Sequence, residues 1–351
     1  MQDRKIRVLI VDDSAIVRKL LAEALSVEPD LEVVGTAPDP FVARDKILSL
    51  NPDVLTLDIE MPRMDGLTFL KKLMRFHPMP VVVISSLAQA SSRAAIEALQ
   101  CGAVEVLAKP GGPYSVGEMK QDLPHKIRAA SHARIARAKA VEPAAPLRPI
   151  AKAACHAGAS SIIALGASTG GTEALREVLI HMPENSQGIV VVQHIPAVFS
   201  AAFASRLNDL CRIQVREAVD GDRVLAGQAL IAPGNFHMTL QKRGGDYSVA
   251  VRDGDRVCYQ RPSVDVLFDS VAAVAGAKAI GALLTGMGAD GAQGMLKMKR
   301  AGARTIAQDE ASCVVFGMPR EAIRLGAVDH VLPLNRIAGE LMALSGAAVR
   351  V

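Results

Sequence analysis

Short runs of Val, Ile and Leu alternate with longer amphipathic stretches from residue 6 to about residue 128. Such runs are typical of buried β-strands, and the stretches between them repeat apolar residues at helical spacing. Strands that alternate with helices form parallel sheets, because each helix returns the chain to the edge where the next strand starts. The pattern therefore predicts a doubly wound α/β domain. Its predicted strands are IRVLIV, LEVVGT, DVLTLDI, PVVVISS and AVEVLAKP.

The same alternation returns from residue 160, with one interruption. The stretch ALIAPGNFHMTLQKRGGDYSVAVRD carries two short apolar runs on either side of Arg243-Gly244-Gly245-Asp246, which is typical of a β-hairpin. We therefore predict a second α/β domain, Rossmann-like, whose mostly parallel sheet includes an antiparallel part. The other predicted strands are SIIALG, GIVVVQH, CRIQVREA, AIGALLTG and ARTIAQ, with helices at 172–182, 198–209, 263–275 and 291–301.

The two blocks are separated by VEPAAPLRPIAKAACHAGA, which is rich in Ala and Pro and has no periodicity. Such composition is typical of an extended linker. The preceding stretch from Gly117 has helical spacing that Pro124 interrupts, and we expect it to close the first block. The predicted organisation is a first domain at 5–125, a linker at 126–158 and a second domain at 159–348.

Composition weighs against nucleic-acid binding. Aromatic residues make up 3% of the 351 residues and Trp is absent, so bases would find few side chains on which to stack. The net charge is +4, but residues 120–152 hold eight Lys or Arg against two acids, Asp122 and Glu142. This cluster could be a polyanion patch, yet a solvated helix end followed by a linker is the simpler interpretation.

The cysteines and the apolar segments indicate a cytoplasmic protein. The five cysteines form no C-x-x-C pair and are odd in number, which favours a reducing compartment. The N-terminus passes directly into a short strand without the apolar region of a signal peptide. VAAVAGAKAIGALL is too short to cross a bilayer and contains Lys278. We expect no membrane insertion.

Polar residues follow the strands of the first block. Asp12 and Asp13 follow the first strand, Asp58 the third, Ser85 the fourth and Lys109 the fifth. The carboxyl ends of parallel strands meet at one edge, where ligands bind. Three carboxylates in one place repel each other and suit Mg²⁺, after which one of them could attack a phosphoryl group. Helix-capping acids would explain any one of these residues, but not all five together.

The segments VLIVDDS, DVLTLDIEMPRMDG, VVVISS and LAKP resemble the receiver domain of two-component response regulators. The resemblance covers the whole first block and implies a flavodoxin-like fold, phosphorylation of Asp58 by a histidine kinase, and a cis bond at Lys109-Pro110. The further roles that it implies are Mg²⁺ binding by Asp12, Asp13, Asp58 and the Glu60 carbonyl, a switch hydroxyl on Ser85 and phosphate contact by Lys109.

The stretch ALGASTGGTEAL fits three descriptions. Gly166, Ser168 and Gly170 match the G-x-S-x-G of a nucleophile elbow, and the glycines also suggest a dinucleotide or phosphate turn. A dinucleotide turn requires glycine where Ser168 stands, and an acid where the next strand ends in His194. A Walker loop requires a lysine that Gly170-Gly171-Thr172 lacks. The nucleophile interpretation is left.

Two partners would make Ser168 a nucleophile. His194 ends the next strand and Asp290 follows a later one, so the three can meet at one sheet edge and form a triad. Each has a simpler explanation alone: a helix cap for Ser168 and Asp290, a satisfied strand-end histidine for His194. His237 is the serious rival as base. The order Ser, His, Asp differs from the Ser, acid, His order of α/β-hydrolases.

The segments IIALGASTGG, VVVQHIP, LIAPGNFHM, RPSVDVLF and LLTGMGADGA resemble the catalytic domain of CheB-type chemotaxis protein-glutamate methylesterases. The resemblance implies Ser168, His194 and Asp290 as the triad, without a cofactor for the esterase. It also implies the Met287 backbone N–H as oxyanion donor and Thr169 as a supporting hydroxyl. Asn235 and Phe236 depart from the glycine and arginine expected there, which concerns the substrate groove.

Together the two resemblances imply a phosphorylation-activated serine hydrolase. Its expected substrates are glutamate methyl esters and glutamines of methyl-accepting chemoreceptors, in chemotaxis adaptation. A monomeric, cytoplasmic protein is expected. Three alternatives stay open: a response regulator of a related signalling array, a DNA-binding transcriptional regulator, which would need a basic recognition helix, and a phosphorylation-gated scaffold.

Overall fold

The computed structural model describes residues 4–86, 88–110, 116–135, 156–158 and 161–346. The chain divides into two compact units, Met1–Pro143 and Ala144–Val351. Most of the expected linker lies outside the described residues.

The first unit is a five-stranded parallel sheet with the strand order β2-β1-β3-β4-β5. This order is that of flavodoxin-like folds, which confirms the predicted fold class. Every residue of β3 and β4 is buried, as strands covered on both faces require. The elements are β1 Ile6–Val11, α1 Ala15–Ser26, β2 Leu31–Ala37, α2 Pro40–Leu50, β3 Val54–Asp58, α3 Gly66–Phe76, β4 Val81–Ser85, α4 Gln89–Gln100, β5 Glu105–Ala108 and α5 Val116–Ser131.

Helix α5 runs past the expected domain boundary at residue 125. It accommodates Pro124 and continues to Ser131 because Ile127 and Ala130 on its later turns are fully buried. The first residues of the expected linker, from 126 to 131, are therefore part of this helix.

The second unit is built on a seven-stranded parallel sheet with the order β16-β15-β14-β7-β8-β11-β9. Its elements are β6 His156–Gly158, β7 Ile162–Ala167, α6 Gly171–Ile180, β8 Gly188–Gln193, α7 Ala197–Leu210, β9 Gln214–Glu217, β10 Leu225–Ala226, β11 Gln228–Ile231, β12 His237–Arg243, β13 Asp246–Arg252, α8 Val264–Ala275, β14 Ala279–Leu283, α9 Ala292–Arg300, β15 Arg304–Gln308, α10 Met318–Arg324, β16 His330–Leu332 and α11 Leu334–Leu344.

The predicted hairpin is present as β12 and β13, but it forms a two-stranded sheet of its own instead of part of the main sheet. Its buried residues Met238, Leu240 and Val249 belong to the same apolar cluster as Leu267 and Phe268 of α8. The hairpin is therefore held by packing on α8 and not by hydrogen bonds to the main sheet. Within the described ranges, no helix is both long and apolar enough to cross a membrane.

Candidate active site and phosphorylation site

Ser168 stands at the sharp corner between β7 and α6. Its backbone N–H donates to the Thr285 carbonyl (3.0 Å), and its own carbonyl accepts from Gly171 N (2.7 Å) and Gln193 Nε2 (2.9 Å). These bonds tie the corner to Thr285, which follows β14, and to Gln193, which ends β8; β14 and β8 are the two strands beside β7. Ser168 as a whole is 7% exposed and is therefore buried, with its backbone fixed by these bonds.

The glycines around Ser168 are required by close packing. A Cβ on Gly166 would lie 2.3 Å from Val264 Cγ1, and one on Gly171 would lie 2.2 Å from Gln193 Oε1. Gly170 has φ +74, a left-handed conformation that costs glycine little. Gly166 and Gly171 therefore make room for Val264 and Gln193, the side chains that pack closely around this corner.

His194 and Asp290 lie together directly beside this corner. His194 Nε2 is 2.7 Å from Asp290 Oδ2, and both side chains are buried. The His194 backbone N–H donates to the Ala167 carbonyl (3.1 Å), the residue before Ser168. Within the described part of the chain, His194 Nδ1 has no hydrogen-bond partner, and no hydrogen bond joins it to Ser168 Oγ. The predicted triad residues thus share one sheet edge, with the His–Asp pair already formed.

Asp290 is held at the N-terminus of α8. Besides His194, its carboxylate accepts hydrogen bonds from Ser263 Oγ (2.7 Å), Val264 N (2.7 Å) and Asp265 N (3.0 Å). Unpaired N–H groups and the helix dipole both favour a negative charge there. Burial acts to raise the pKa of Asp290, but the hydrogen bond and charge of His194 and the other donors outweigh it, so the pKa lies below its ordinary value. Asp290 is therefore ionised at neutral pH.

The ionised carboxylate fixes the tautomer of His194. Because Asp290 can only accept, Nε2 must carry the proton and donate it. When the imidazole is neutral, its lone pair is then on Nδ1, the nitrogen that lacks a partner among the described residues. A buried imidazole with this arrangement can act as a general base.

The loop that follows β14 lies against Ser168, the predicted nucleophile. A Cβ on Gly286 would come within 2.7 Å of Ser168 Cβ, so Gly286 packs directly against Ser168. Met287, the predicted oxyanion donor, is the next residue in the chain. The Gly286 carbonyl accepts from Met318 N (2.8 Å), which holds this loop. Thr169 is buried, and its carbonyl accepts from Thr285 Oγ1 (3.0 Å).

Sequence reasoning missed two supporting residues. Gln193 donates from Nε2 to the carbonyls of Ser168 (2.9 Å) and His194 (3.2 Å), and Ser263 donates to Asp290. A glutamine at the end of a buried strand, in VVVQH, was a signal for the first. A serine directly before the helical pattern VDVLF was a signal for the second. His237, the rival base, contacts neither Ser168 nor Asp290 by a hydrogen bond; its ring bonds Ser263 N and the Asp255 carbonyl.

The second group of predicted residues meets at the carboxyl edge of the first sheet. Lys109 Nζ lies 2.6 Å from Asp58 Oδ2 and 3.1 Å from Asp12 Oδ2. Burial, together with the nearby charge of Asp12, raises the pKa of Asp58 to about 6, although Lys109 opposes this shift. Burial likewise raises the pKa of Asp12. Asp12 and Asp58 are fully buried, whereas Asp13 is exposed at the mouth of the cluster.

Glu60 and Ser85 lie beside this cluster. The Glu60 backbone N–H donates to Asp58 Oδ1 (3.0 Å), and its carboxylate accepts from Ser91 Oγ. Ser85 is buried at the end of β4, one residue after Ile84, which pairs with Asp58 across the sheet, and its hydroxyl donates to the Ser91 carbonyl (3.3 Å). The cis bond expected at Lys109-Pro110 is not found; among the described residues the cis X-Pro bond is Arg261-Pro262.

Comparison with known proteins identifies both units. The model of the CheB methylesterase family matches residues 163–341, and that of the response regulator receiver domain matches residues 8–119. The first match spans most of the second unit, so an output domain that binds DNA is not favoured.

The similarity extends along whole proteins. A protein of Syntrophus aciditrophicus (strain SB) named protein-glutamate methylesterase/protein-glutamine glutaminase 2 is 58% identical over 340 residues, which cover 97% of this chain and 99% of that protein. A protein-glutamate methylesterase/protein-glutamine glutaminase of Nitrosomonas europaea is 53% identical, covering 99% of this chain and 100% of that protein. The crystal structure of the Thermotoga maritima CheB methylesterase catalytic domain is 40% identical, with a TM-score of 0.52, over 52% of this chain and 98% of that chain. The chain therefore belongs to the CheB methylesterase family and carries a response regulator receiver domain ahead of its methylesterase domain.

Proposed function

We propose that this protein is a phosphorylation-activated serine hydrolase that removes methyl groups from glutamate γ-methyl esters of chemoreceptors and deamidates receptor glutamines. The observation that carries the proposal is the buried His194–Asp290 pair at 2.7 Å, beside the corner that bears Ser168. Its relatives are named for both activities.

The chemistry follows from the tautomer of His194. Ser168 Oγ attacks the γ-carbonyl carbon of the methyl ester while His194 Nδ1 accepts the hydroxyl proton. Asp290 stabilises the imidazolium that forms, and the Met287 N–H donates to the developing oxyanion. The C–O bond to the methoxy group then breaks, and His194 returns the proton, so that methanol leaves. Water attacks the acyl-enzyme by the same route in reverse and frees the glutamate; with glutamine the leaving group is ammonia.

The receiver domain supplies the proposed control of this activity. Asp58 accepts a phosphoryl group from a phosphohistidine of a chemotaxis histidine kinase, and Lys109 and Ser85 contact the transferred oxygens. The side-chain oxygens of Asp12, Asp13 and Asp58 lie within 4.8 Å of one another, a donor set that suits a hard divalent cation. With the Glu60 carbonyl, these residues would hold Mg²⁺, which when bound offsets the negative charge of the carboxylates and the phosphoryl group.

The hydrolase assignment is tested by methanol release from methylated receptor membranes. Ser168→Ala should reduce release by at least about 10³-fold, because the acyl-enzyme cannot form. The matched control is Ser345→Ala at the end of α11, whose hydroxyl donates only to the Met342 carbonyl and which should retain wild-type activity. Substantial activity in Ser168→Ala would rule out Ser168 as the nucleophile.

The control by phosphorylation is tested by the ratio of methanol release with and without a small-molecule acyl phosphate. In the wild type this ratio should exceed one, and in Asp58→Ala it should equal one. Asp45→Ala, on an exposed carboxylate of α2 that pairs with Arg44, should keep the wild-type ratio. Activation that persists in Asp58→Ala would contradict the assignment of Asp58 as phosphoacceptor.

A further inference from the structure

His237 is buried at the start of β12, and both of its ring nitrogens are engaged. Nδ1 lies 3.2 Å from the Ser263 backbone N–H, which can only donate, so Nδ1 must accept. Nε2 therefore carries the proton and donates it to the Asp255 carbonyl at 2.8 Å. A Cβ on Gly254 would lie 3.3 Å from His237 Cδ2, so the ring is also packed from the side. This tautomer has no lone pair left for a proton-transfer role.

The residue that His237 holds is the one that caps α8. Ser263 is fully buried, and its hydroxyl donates to Asp290 Oδ1 (2.7 Å) while accepting from Val266 N (3.4 Å). The next two backbone N–H groups, of Val264 and Asp265, also donate to Asp290. Three of the four groups that bind Asp290 therefore move with the position of Ser263.

We propose that His237 is a positioning residue for the triad, which acts on Asp290 through Ser263; this inference rests on the proposed function of Ser168, His194 and Asp290. The ring fixes the first turn of α8, this turn fixes the carboxylate, and the carboxylate fixes the orientation of His194. The hairpin that carries His237 is thereby part of the support of the active site.

A second contact joins the same two segments and strengthens the inference. The Asn235 backbone N–H donates to the Arg261 carbonyl (3.1 Å), and the Arg261 guanidinium donates to Asn235 Oδ1 from Nη2 (2.7 Å) and Nε (3.1 Å). Asn235 has φ +67, a left-handed conformation in which asparagine is among the better tolerated residues. The departure from glycine at 235 thus keeps the required backbone conformation and adds a side-chain acceptor. The segments 235–237 and 261–263 are clamped at both ends.

The test compares two substitutions that differ in the acceptor they retain. His237→Asn places an amide oxygen near the position of Nδ1 and can accept from Ser263 N, whereas His237→Leu fills the site without an acceptor. We expect kcat for methanol release to fall about 10- to 100-fold in His237→Leu with KM within about 3-fold, the size expected when a catalytic group is displaced by a fraction of an ångström to an ångström. His237→Asn should stay within about 5-fold of the wild type, since the key hydrogen bond survives.

A spectroscopic readout separates positioning from general loss of structure. In the NMR spectrum of the full chain, the His194 Nε2 proton should give a downfield signal from its hydrogen bond to Asp290. We expect this signal in the wild type and in His237→Asn, and its shift or broadening in His237→Leu. Equal kcat and an unchanged signal in all three proteins would overturn the proposal, as would equal losses in both variants.

A double variant covers the case in which His237→Leu does not fold. His237→Ala, which also lacks the acceptor, should lose kcat as His237→Leu does, but combined with Asp290→Asn it should have the same kcat as Asp290→Asn alone, because a residue that acts through Asp290 has nothing to position once the carboxylate is gone. A further loss that multiplies the two single effects would refute action through Asp290. If Ser168→Ala retained activity, the proposed function would fail, while the His194 signal would still report whether His237 orients the pair.

Discussion

Replacing Asp290 by Asn is the sharpest test of the active-site electrostatics. Each carboxylate oxygen accepts two hydrogen bonds: Oδ2 from His194 and Val264 N, and Oδ1 from Ser263 Oγ and Asp265 N. An amide can place only one oxygen, so its NH₂ group must face one of these pairs of donors. The tolerable orientation turns the NH₂ toward Ser263, whose hydroxyl can rotate to accept, and leaves the Asp265 N–H without an acceptor.

The magnitude follows from this count. One buried N–H without an acceptor costs about 1–3 kcal/mol of folding stability, to which the loss of a favourable charge at a helix N-terminus adds about 0.5–1 kcal/mol. The effect on catalysis is larger, because a neutral amide does not stabilise the imidazolium, even though its oxygen still accepts the hydrogen bond from His194 Nε2. In a serine protease the equivalent change lowers kcat about 10⁴-fold, because it also produces the wrong tautomer of the histidine. Since the tautomer is kept here, we expect a smaller fall in kcat, about 10²- to 10³-fold.

The assay combines methanol release with urea unfolding of the full chain. Asp290→Asn should lose most of its kcat while its free energy of unfolding falls by only about 1.5–4 kcal/mol, so that a folded but inactive protein results. Asp209→Asn, on an exposed position of α7, is the control and should leave both quantities unchanged. A kcat within tenfold of the wild type, measured on folded Asp290→Asn, would refute the role of this carboxylate in stabilising the imidazolium form of His194.

Two other predictions concern packing and pH. In Gly286→Ala the new methyl group would lie 2.3 Å from Met318 Sδ and 2.7 Å from Ser168 Cβ, so both the stability in urea and kcat should fall. The control is Gly339→Ala on α11, where the new methyl group meets nothing within 4 Å and should stabilise the protein by up to about 1 kcal/mol. A fully active Gly286→Ala would mean that the loop is not fixed against Ser168. Asp58→Asn should stabilise the receiver unit by about 1–3 kcal/mol at pH 7.5, because burial raises the pKa of Asp58 to about 6 and the charged form is therefore disfavoured in the folded state. The destabilisation of the wild type by the buried Asp58 charge is present above pH 6 and disappears as the pH falls from 6 to about 4. The wild type and Asp58→Asn should therefore have similar free energies of unfolding in urea at pH 4. An Asp58→Asn protein less stable than the wild type at pH 7.5 would show that the ion pair with Lys109 outweighs burial.

The strands and the residues that follow them could be predicted because their signals are local. An apolar run such as IIALGA sets a buried strand, and parallel strands place their carboxyl ends at one edge whatever their order. His194 and Asp290 therefore lie together beside the corner that bears Ser168, and Asp12, Asp58 and Lys109 lie together at the edge of the first sheet. Their proximity follows from topology and needs no knowledge of side-chain packing.

What the sequence could not give depends on contacts between distant elements. No local pattern shows that the first turn of α8 meets the loop before α9, and so the donors of Asp290 were missed. The hairpin was recognised from its glycines, but its separation from the main sheet depends on the packing of Met238 and Leu240 against α8. The continuation of α5 to Ser131 likewise depends on the burial of Ile127, a tertiary contact.

The burial of Asp290 explains why such support is needed. A carboxylate taken out of water is expensive unless donors replace its hydration, and in this fold the donors come from a helix N-terminus that is separate in sequence from the triad. That N-terminus is held by His237 and Arg261 on one side, while Leu267 and Phe268 fix the helix in the core. The ionised state of Asp290, and with it the orientation of His194, is thus a property of the packed second unit as a whole and not of the three predicted triad residues alone.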